Sequence, residues 1–461
     1  MSQPRFFLVA LTFVVLSGCM TYEPRDLSPA TTQAQLESRT LGDAGLKKFL
    51  ASHGQPAEVE SWDLARLTLA AFHFNPELDV ARAQLAGAEA GVRSAAARPN
   101  PTFAFTPGYN QDSAAGVTPW ILDYALDLPL ELAGKRTYRT AEAQHQAEAA
   151  RLEVARLAWS VRASVRRALS ALHAAEATAG LWRNQTPLLA SAAQLVDLQV
   201  KAGEVSPLEA AQARITLNRA ELAARESERG LTTARSRLAE TIGLPLAALA
   251  GVPVSYRGLD EPAAPFEVAE ARRWAAQNRA DLLAALAIYA ASQSALQVEI
   301  ARQYPDLSFG PGYQLDQGEG KWSLGLGVTL PVFHQNQGPI AVAQARREAA
   351  AARFLALQNR VLAEVDRASA DYSAALADLA TVKSMRANLE QQARTIRAQQ
   401  AAGETSRLEL TRAQIELADN ARAELEIRLR VENALGALED AVQRPLAWPE
   451  SAWRSSNRPS G

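Results

Sequence analysis

The sequence predicts a mainly α fold with a membrane β-barrel part, built from a duplicated unit that joins one strand pair to one pair of long helices. Three observations predict it: a whole-unit repeat, four alternating strands and helical stretches far longer than a globular domain needs. The chain of 461 residues recurs upon itself, residues 75–246 returning at 278–446 in the same order. Asn75 matches Asn278, Pro101 to Tyr109 match Pro305 to Tyr313, and Leu128-Pro129 match Leu330-Pro331. Ala202-Gly203-Glu204 match Ala402-Gly403-Glu404, and Leu244-Pro245-Leu246 match Arg444-Pro445-Leu446. Subtraction gives offsets of 203, 204, 202, 200 and 200, so a large structural unit has been copied whole. Its period is far beyond the modules of roughly 20 to 50 residues found in ordinary solenoids.

At the N-terminus, Arg5 precedes an apolar run from Phe6 to Leu16 and then Leu16-Ser17-Gly18-Cys19. The run is too short to span a bilayer, which takes about 20 residues, and suits a secretory signal over residues 1–18. Leu-Ser-Gly-Cys resembles a bacterial lipobox, which makes Cys19 the expected lipidation site. Cys19 is the only cysteine, so an exported chain would carry no internal disulfide. Met20 in place of Asp, by resemblance to known lipoproteins, favours the outer membrane. Residues 19–57, with Pro24, Pro29 and Pro56 and little periodicity, read as a lipidated linker.

The first repeat is assigned to 58–257, the second to 258–447, and 448–461 to a C-terminal tail. Helical patterning starts near Ser61, and Asn75-Pro76 marks a break followed by a helix with Pro in its first turn. That helix is stopped by Arg98-Pro99-Asn100-Pro101, where the period changes to two. Strand pairs are expected at about 102–110 with 118–130, and at about 305–315 with 321–333. From Trp120 to Leu130 the even positions Trp120, Leu122, Tyr124, Leu126, Leu128 and Leu130 are large and apolar, whereas the odd ones include Asp123, Ala125 and Asp127. From Trp322 to Val332 the even positions are again apolar, set against Ser323, Gly325, Gly327 and Thr329. Large apolar groups on one face and small or polar ones on the other match barrel strands with a wet interior. Four strands cannot close a barrel, whose smallest filled form has about 8, and open edges are not tolerated in lipid. One chain therefore supplies part of a shared barrel: two chains give 8 strands, three give 12, and only the latter leaves a lumen.

From about Gly134 to Lys201 the sequence is helical in composition, with expected interruptions at Gly180 and Pro187. At about 1.5 Å per residue it spans on the order of 100 Å. Val154, Ala158, Val161, Val165, Ala168, Leu172, Ala175, Ala179 and Trp182 step by four and three, the coiled-coil spacing. Leu355, Gln358, Leu362, Val365, Ser369, Tyr372, Leu376 and Leu379 form the second seam. Gly203 and Gly403 suit left-handed caps at the helix ends, followed by Ser206 with Glu209 and Ser406 with Glu409 at the capping-box spacing. Two such helices per copy give twelve in three chains, enough to wall a tube.

The lipobox, the duplicated strand pairs, the long helices and the two Ala-Gly-Glu turns together resemble the outer-membrane efflux protein family, the TolC-like channel-tunnel proteins. Leu130-Glu131-Leu132-Ala133-Gly134-Lys135-Arg136 and Pro331-Val332-Phe333-His334-Gln335-Asn336-Gln337-Gly338 resemble the cobalt-zinc-cadmium efflux lipoprotein branch at the strand-to-helix junction. The resemblance implies an outer-membrane homotrimer with a 12-stranded β-barrel continued by a 12-helix α-barrel. It implies docking to a periplasmic membrane-fusion adaptor and an inner-membrane resistance-nodulation-division (RND) pump, with heavy-metal cations as cargo. Drug efflux or type I secretion would use the same fold. Relatives close the helical tip with acidic residues in a Gly-x5-Asp-x2-Asp pattern. Gly403 and Glu409 match its first two elements, but Arg412 stands at the third; in the first copy Gly203 and Glu209 are followed by Gln212. Glu204, Glu209, Glu404 and Glu409 are thus tip residues, and for Glu209 and Glu409 plain helix capping stands beside gating. Of a different class is a structural coiled-coil envelope lipoprotein.

With 48 basic and 50 acidic residues there is no field of one sign to attract nucleic acid. His53, His73, His145, His173 and His334 are scattered without a ligand motif, although His145 and His334 fall near the roots of the two long helices. No phosphate loop, nucleophile elbow or catalytic cysteine pattern is present, so the sequence assigns no enzyme activity, no cofactor and no resident metal.

Overall fold

A computed structural model describes residues 21–56, 60–257, 259 and 267–446. Cys19 and its signal, and the tail 448–461, lie outside the described residues. Two short helices come first, α1 (Pro29–Glu37) and α2 (Ala44–Ser52), where the sequence was expected to give only a linker. Asp43 caps α2 by accepting from the amide of Leu46, and Leu46 and Leu50 are fully buried. Two buried leucines one turn apart are an amphipathic signal too short to stand out among the surrounding prolines.

The repeat then unfolds element by element. The first copy runs α3 (Leu64–Phe74), α4 (Pro76–Ala96), β1 (Thr102–Tyr109), β2 (Trp120–Leu130), α5 (Lys135–Lys201) and α6 (Pro207–Ile242). The second runs α7 (Val268–Asn278), α8 (Ala280–Ala301), β3 (Leu307–Asp316), β4 (Glu319–Val328), α9 (Gln337–Ala401) and α10 (Arg407–Val442). The long helices have 67 and 65 residues and their returning partners 36 each, so the copies agree to within a turn.

Neither Gly180 nor Pro187 interrupts α5. Pro187 removes the amide that would bond the Arg183 carbonyl, a single bond of the many along α5. α10 grips the turn before it, Gln185 Nε2 donating to Asp419 at 2.8 Å and Arg422 lying 4.1 Å from the Trp182 ring centre.

Each copy has a core, and the same positions build both. Val161, Val165, Ala168, Leu172 and Leu238 are buried in the first; Val361, Val365, Ala368, Tyr372 and Leu438, each 200 residues on, are buried in the second. Ala71 and Leu78 correspond likewise to Ala275 and Leu282. The second seam is displaced from its expected course: Leu355 is exposed, Val361 rather than Leu362 is buried, and Phe354 packs on the core. In that stretch apolar residues lie on adjacent helix positions, so periodicity alone leaves the face undetermined by one residue.

The copies join along α5, which packs against α6 of its own copy and against α8 and α10 of the other. By length and composition α8 is the one described helix that could cross a membrane, although it has no unbroken apolar run of 18 residues. It packs on α5, where Ala284 and Ala287 cluster with Leu152, and on α9.

All four strands form one antiparallel sheet in the order β1-β2-β3-β4. β4 ends at Val328, short of the expected 333, because β3, its partner in the chain, begins at Leu307 directly opposite. Among the described residues, those beyond Val328 have no strand within the chain to bond.

Candidate functional site

The functional surfaces are the two faces of the sheet, the junction beneath it, the seam between the copies and the helical tips. Directly opposed residues share a face, so the register sorts the side chains. One row runs Phe105, Tyr124, Tyr313 and Trp322 across all four strands, with ring centroids 5.0, 6.5 and 4.8 Å apart. Toward the outer turns Tyr109 meets Trp120 at 5.2 Å; toward the helices lie Leu128 with Phe309 and Leu326, then Leu130 with Leu307 and Val328. This face is exposed in the single chain: Phe103 is 65%, Trp322 83% and Leu326 74% accessible. An apolar face of this extent left in water calls for a covering of lipid or protein.

The opposite face carries Thr102, Ala104, Thr106 and Gly108, then Asp123, Ala125 and Asp127, then Ser308, Gly310, Gly312, Gln314 and Asp316, and finally Glu319, Lys321, Ser323, Gly325 and Gly327. Lys321 Nζ is tied to Asp316 at 2.6 Å. Four carboxylates face one ammonium; Asp123 lies between Thr106 and Gln314, and Asp127 lies opposite Thr102.

At the junction Gly134 holds a positive φ of 75° at the start of α5, which suits glycine. Lys135 Nζ lies 2.8 Å from Asp306 Oδ1, which also accepts from the Leu132 amide at 3.0 Å. Asp306 belongs to the second copy, so it fastens the start of β3 to the start of α5. Arg139 clamps Glu131 at 2.6 and 3.1 Å and donates to the carbonyls of Ala95 and Ala97. Of the expected junction residues, Arg136 contributes only a carbonyl to the Thr140 hydroxyl, and Gly338 adopts no special backbone. The counterpart of Gly134 is Asn336, 202 residues on, with φ 60° and an amide that donates to the carbonyl and carboxylate of Glu299. Asn tolerates the left-handed region better than most residues, and that signal could have singled it out. Asp306, Arg139 and Glu299 had no such signal, since each acts through a long-range contact. His334 accepts the Asn336 amide through Nδ1, and no group of three His, Cys, Asp or Glu able to hold a metal occurs among the described residues.

Between α5 and α10 the copies meet through charge. Arg162 lies 3.2 Å and Arg166 3.8 Å from Glu439, which is almost fully buried. Gly436 leaves the room that Arg166 occupies, since a Cβ there would overlap its guanidinium. Arg167 pairs with Asp440 at 3.2 Å, and Ser170 donates to Glu432 at 2.6 Å. His173 lies 3.8 Å from Glu432 and stacks on Tyr256, whose hydroxyl donates to Glu176 at 2.7 Å. Burial, then the bond to Glu176, push the Tyr256 phenol well above its ordinary value. Burial likewise lowers Arg166, against the pull of Glu439, and pushes the Asp440 carboxyl up to about 6. This row was not legible as a site, because its partners lie as much as 277 positions apart in sequence, as Arg162 and Glu439 do.

At the tips Gly203 and Gly403 take φ of 77° and 79°. The amides of Glu204 and Glu404 close each helix by donating to the carbonyls of Gln199 and Gln399 at 2.9 Å, while their side chains remain exposed. Only the second copy caps through its serine: Ser406 Oγ accepts the Glu409 amide at 3.2 Å, whereas in the first the Ser206 carbonyl takes the Glu209 amide. Glu409 pairs with Arg412 at 3.0 Å, both half exposed. Leu408 packs on Val196 and Ala210 of the first copy, and a hollow of about 250 Å³ gathers Glu209 and Gln212 beside Leu408 and Arg412. The two tips thus form one surface.

Comparisons with known proteins agree with this architecture. The cobalt-zinc-cadmium resistance protein CzcC of Cupriavidus metallidurans is 28% identical over 338 residues, 73% of this chain and 76% of the relative. The solved outer membrane protein VceC of Vibrio cholerae matches with a TM-score of 0.67 at 20% identity, covering 83% of this chain and 96% of its own. The outer-membrane channel OprN matches with a TM-score of 0.68 at 20% identity, covering 93% and 99%. The model of the outer membrane efflux protein family matches residues 70–244 and 272–442, one segment for each copy. The chain belongs to the outer membrane efflux protein family.

Proposed function

We propose that three copies of this chain close a 12-stranded barrel in the outer membrane, continued by a 12-helix tube, as the passive exit duct of a tripartite efflux system. The observation that carries the reading is a four-stranded sheet with an exposed apolar face and two open edges, standing on helices about 100 Å long. An N-terminal lipid on Cys19 would add an anchor beside the barrel. The tips would dock a periplasmic adaptor, and an inner-membrane RND pump would supply the energy.

Heavy-metal cations are the proposed cargo. CzcC, the relative at 28% identity, carries the name of a cobalt-zinc-cadmium resistance protein, and the polar face of the sheet is acidic. Carboxylates along a pore favour cations without holding them, which suits a duct. The test joins a gel to a sensitivity assay. Unboiled protein from outer membranes is expected to migrate as a trimer that collapses to the monomer on heating, and a deletion strain is expected to become sensitive to cobalt, zinc or cadmium. Sensitivity only to dyes and detergents would replace the metal cargo by drugs. Migration as a monomer without heating would overturn the barrel and leave a coiled-coil envelope lipoprotein.

A further inference from the structure

The repeat dictates how one chain meets the next. β1 maps onto β3 at an offset of 204, Tyr109 on Tyr313, and β2 onto β4 at 202, Trp120 on Trp322. The hairpin registers agree independently. Opposed residues total 229 in the first hairpin (Thr102 with Asp127) and 635 in the second (Leu307 with Val328), and the difference of 406 is the two offsets together. The first hairpin joins the second with Leu130 opposite Leu307, Leu128 opposite Phe309 and Tyr124 opposite Tyr313. Moving β2 forward by 202 and β3 back by 204 carries that junction to the free edges of β4 and β1. It sets Val332 opposite Phe103, Leu330 opposite Phe105 and Leu326 opposite Tyr109 of a second copy.

These residues lie on the two sheet edges that have no neighbouring strand within the chain. β4 stops at Val328, yet the apolar alternation continues through Leu330 and Val332, which are 69% and 68% exposed, and Phe103 across the proposed seam is 65% exposed. Pro331 does not forbid pairing, because its counterpart Pro129 already sits opposite Ser308 within β2. We propose that residues 329–333 are an extension of β4 that forms only on assembly, pairing antiparallel with β1 of a second copy with Val332 opposite Phe103 and Leu330 opposite Phe105. The proposal rests on the oligomeric barrel argued above and adds its register. It also explains why period two persists past the end of the observed strand: the sequence is written for a strand whose partner lies in another chain.

Opposed residues bring their Cβ atoms within roughly 4.5 to 5.5 Å, close enough for oxidative cross-linking with slight adjustment. The full-length chain carrying Phe103→Cys and Val332→Cys, oxidised in outer membranes with copper phenanthroline, is expected to give covalent oligomers up to the trimer on non-reducing gels. Either single substitution is expected to give none beyond background, and the mis-registered pair Tyr109→Cys with Val332→Cys far less. Equal or stronger cross-linking of the mis-registered pair in heat-sensitive trimers would overturn the register while leaving the barrel intact. Absence of trimer in the unsubstituted protein would overturn both. Should the cysteine variants fail to assemble, hydrogen exchange on the unsubstituted trimer decides. On a strand with one neighbour every second amide is bonded, so one alternate set, either 330 and 332 or 329 and 333, is expected to be protected like the amides of β2, and exchange of both sets as fast as in residues 110–119 would refute the extension.

Discussion

Asp440 shows how a single carboxyl reports on the seam between the copies. Burial, with Glu439 beside it, pushes its carboxyl from 3.8 up to about 6, against Arg167, Arg162 and Arg166, which pull it down. A carboxyl whose folded value lies above its unfolded one is costly when ionised. Its stabilising effect is therefore whole below about pH 4 and is lost as pH rises through about 6. Asp440→Asn keeps the shape and cannot ionise. Its melting temperature relative to the parent should rise between about pH 4 and pH 7, reaching an advantage of about 1 to 3 kcal/mol at most. Part is offset by the lost pairing with Arg167, itself mostly exposed and worth little. Circular dichroism melts of the detergent-solubilised protein check this, and a difference constant with pH would refute it. Glu439 plays the opposite part: buried between two arginines, it stabilises little against an apolar pair, but it fixes which residues of α5 face which of α10.

Among the elements, the tips carry the clearest contrast between the copies. In the second, Glu409 stands in the first turn of α10, its amide held by Ser406 and its carboxylate by Arg412. In the first, Gln212 replaces the cation and Ser206 makes no side-chain cap. Glu409→Ala should cost about 0.3 to 1 kcal/mol through the lost charge at a helix N-terminus. If Glu409 also holds the tip shut, single-channel conductance in planar bilayers should rise, and conductance equal to the parent's would leave capping alone. Caps, strand faces and long helices were legible because each rests on neighbours close in sequence, as Gly203 with Glu204 or Tyr124 between Leu122 and Leu126 do. What was not legible depended on distant partners. The continuation of α5 through Pro187 needs the flanking helices, the role of Asp306 needs Lys135 across 171 positions, and the end of β4 at Val328 is set by where β3 begins. Leu355 failed for a subtler reason, since its neighbour Phe354 is equally apolar and only packing chooses between them.

For the whole molecule, the decisive property is the sign of charge along the proposed lumen. Net charge is only −2, so no overall field draws cations, yet the polar face of the sheet carries Asp123, Asp127, Asp316 and Glu319 against Lys321 alone. Asp316 is largely cancelled by its bond to Lys321. Asp123 and Asp127, four residues apart on one strand, lie about 13 Å from each other along it. Threefold assembly would turn them into two carboxylate rings one above the other. Rings of like charge raise the local counter-ion concentration and are read as selectivity rather than as binding. In planar bilayers under a KCl gradient the parent channel should show a reversal potential of the cation-selective sign. Asp123→Asn with Asp127→Asn should lower the cation preference several-fold, and high salt should reduce the difference by screening. The trimer's gel migration should be unchanged, because neither side chain belongs to the apolar face or to a pairing edge. A parent channel selective for anions, or a double variant with the parent's reversal potential, would remove these aspartates from the account and return the choice of cargo wholly to the pump.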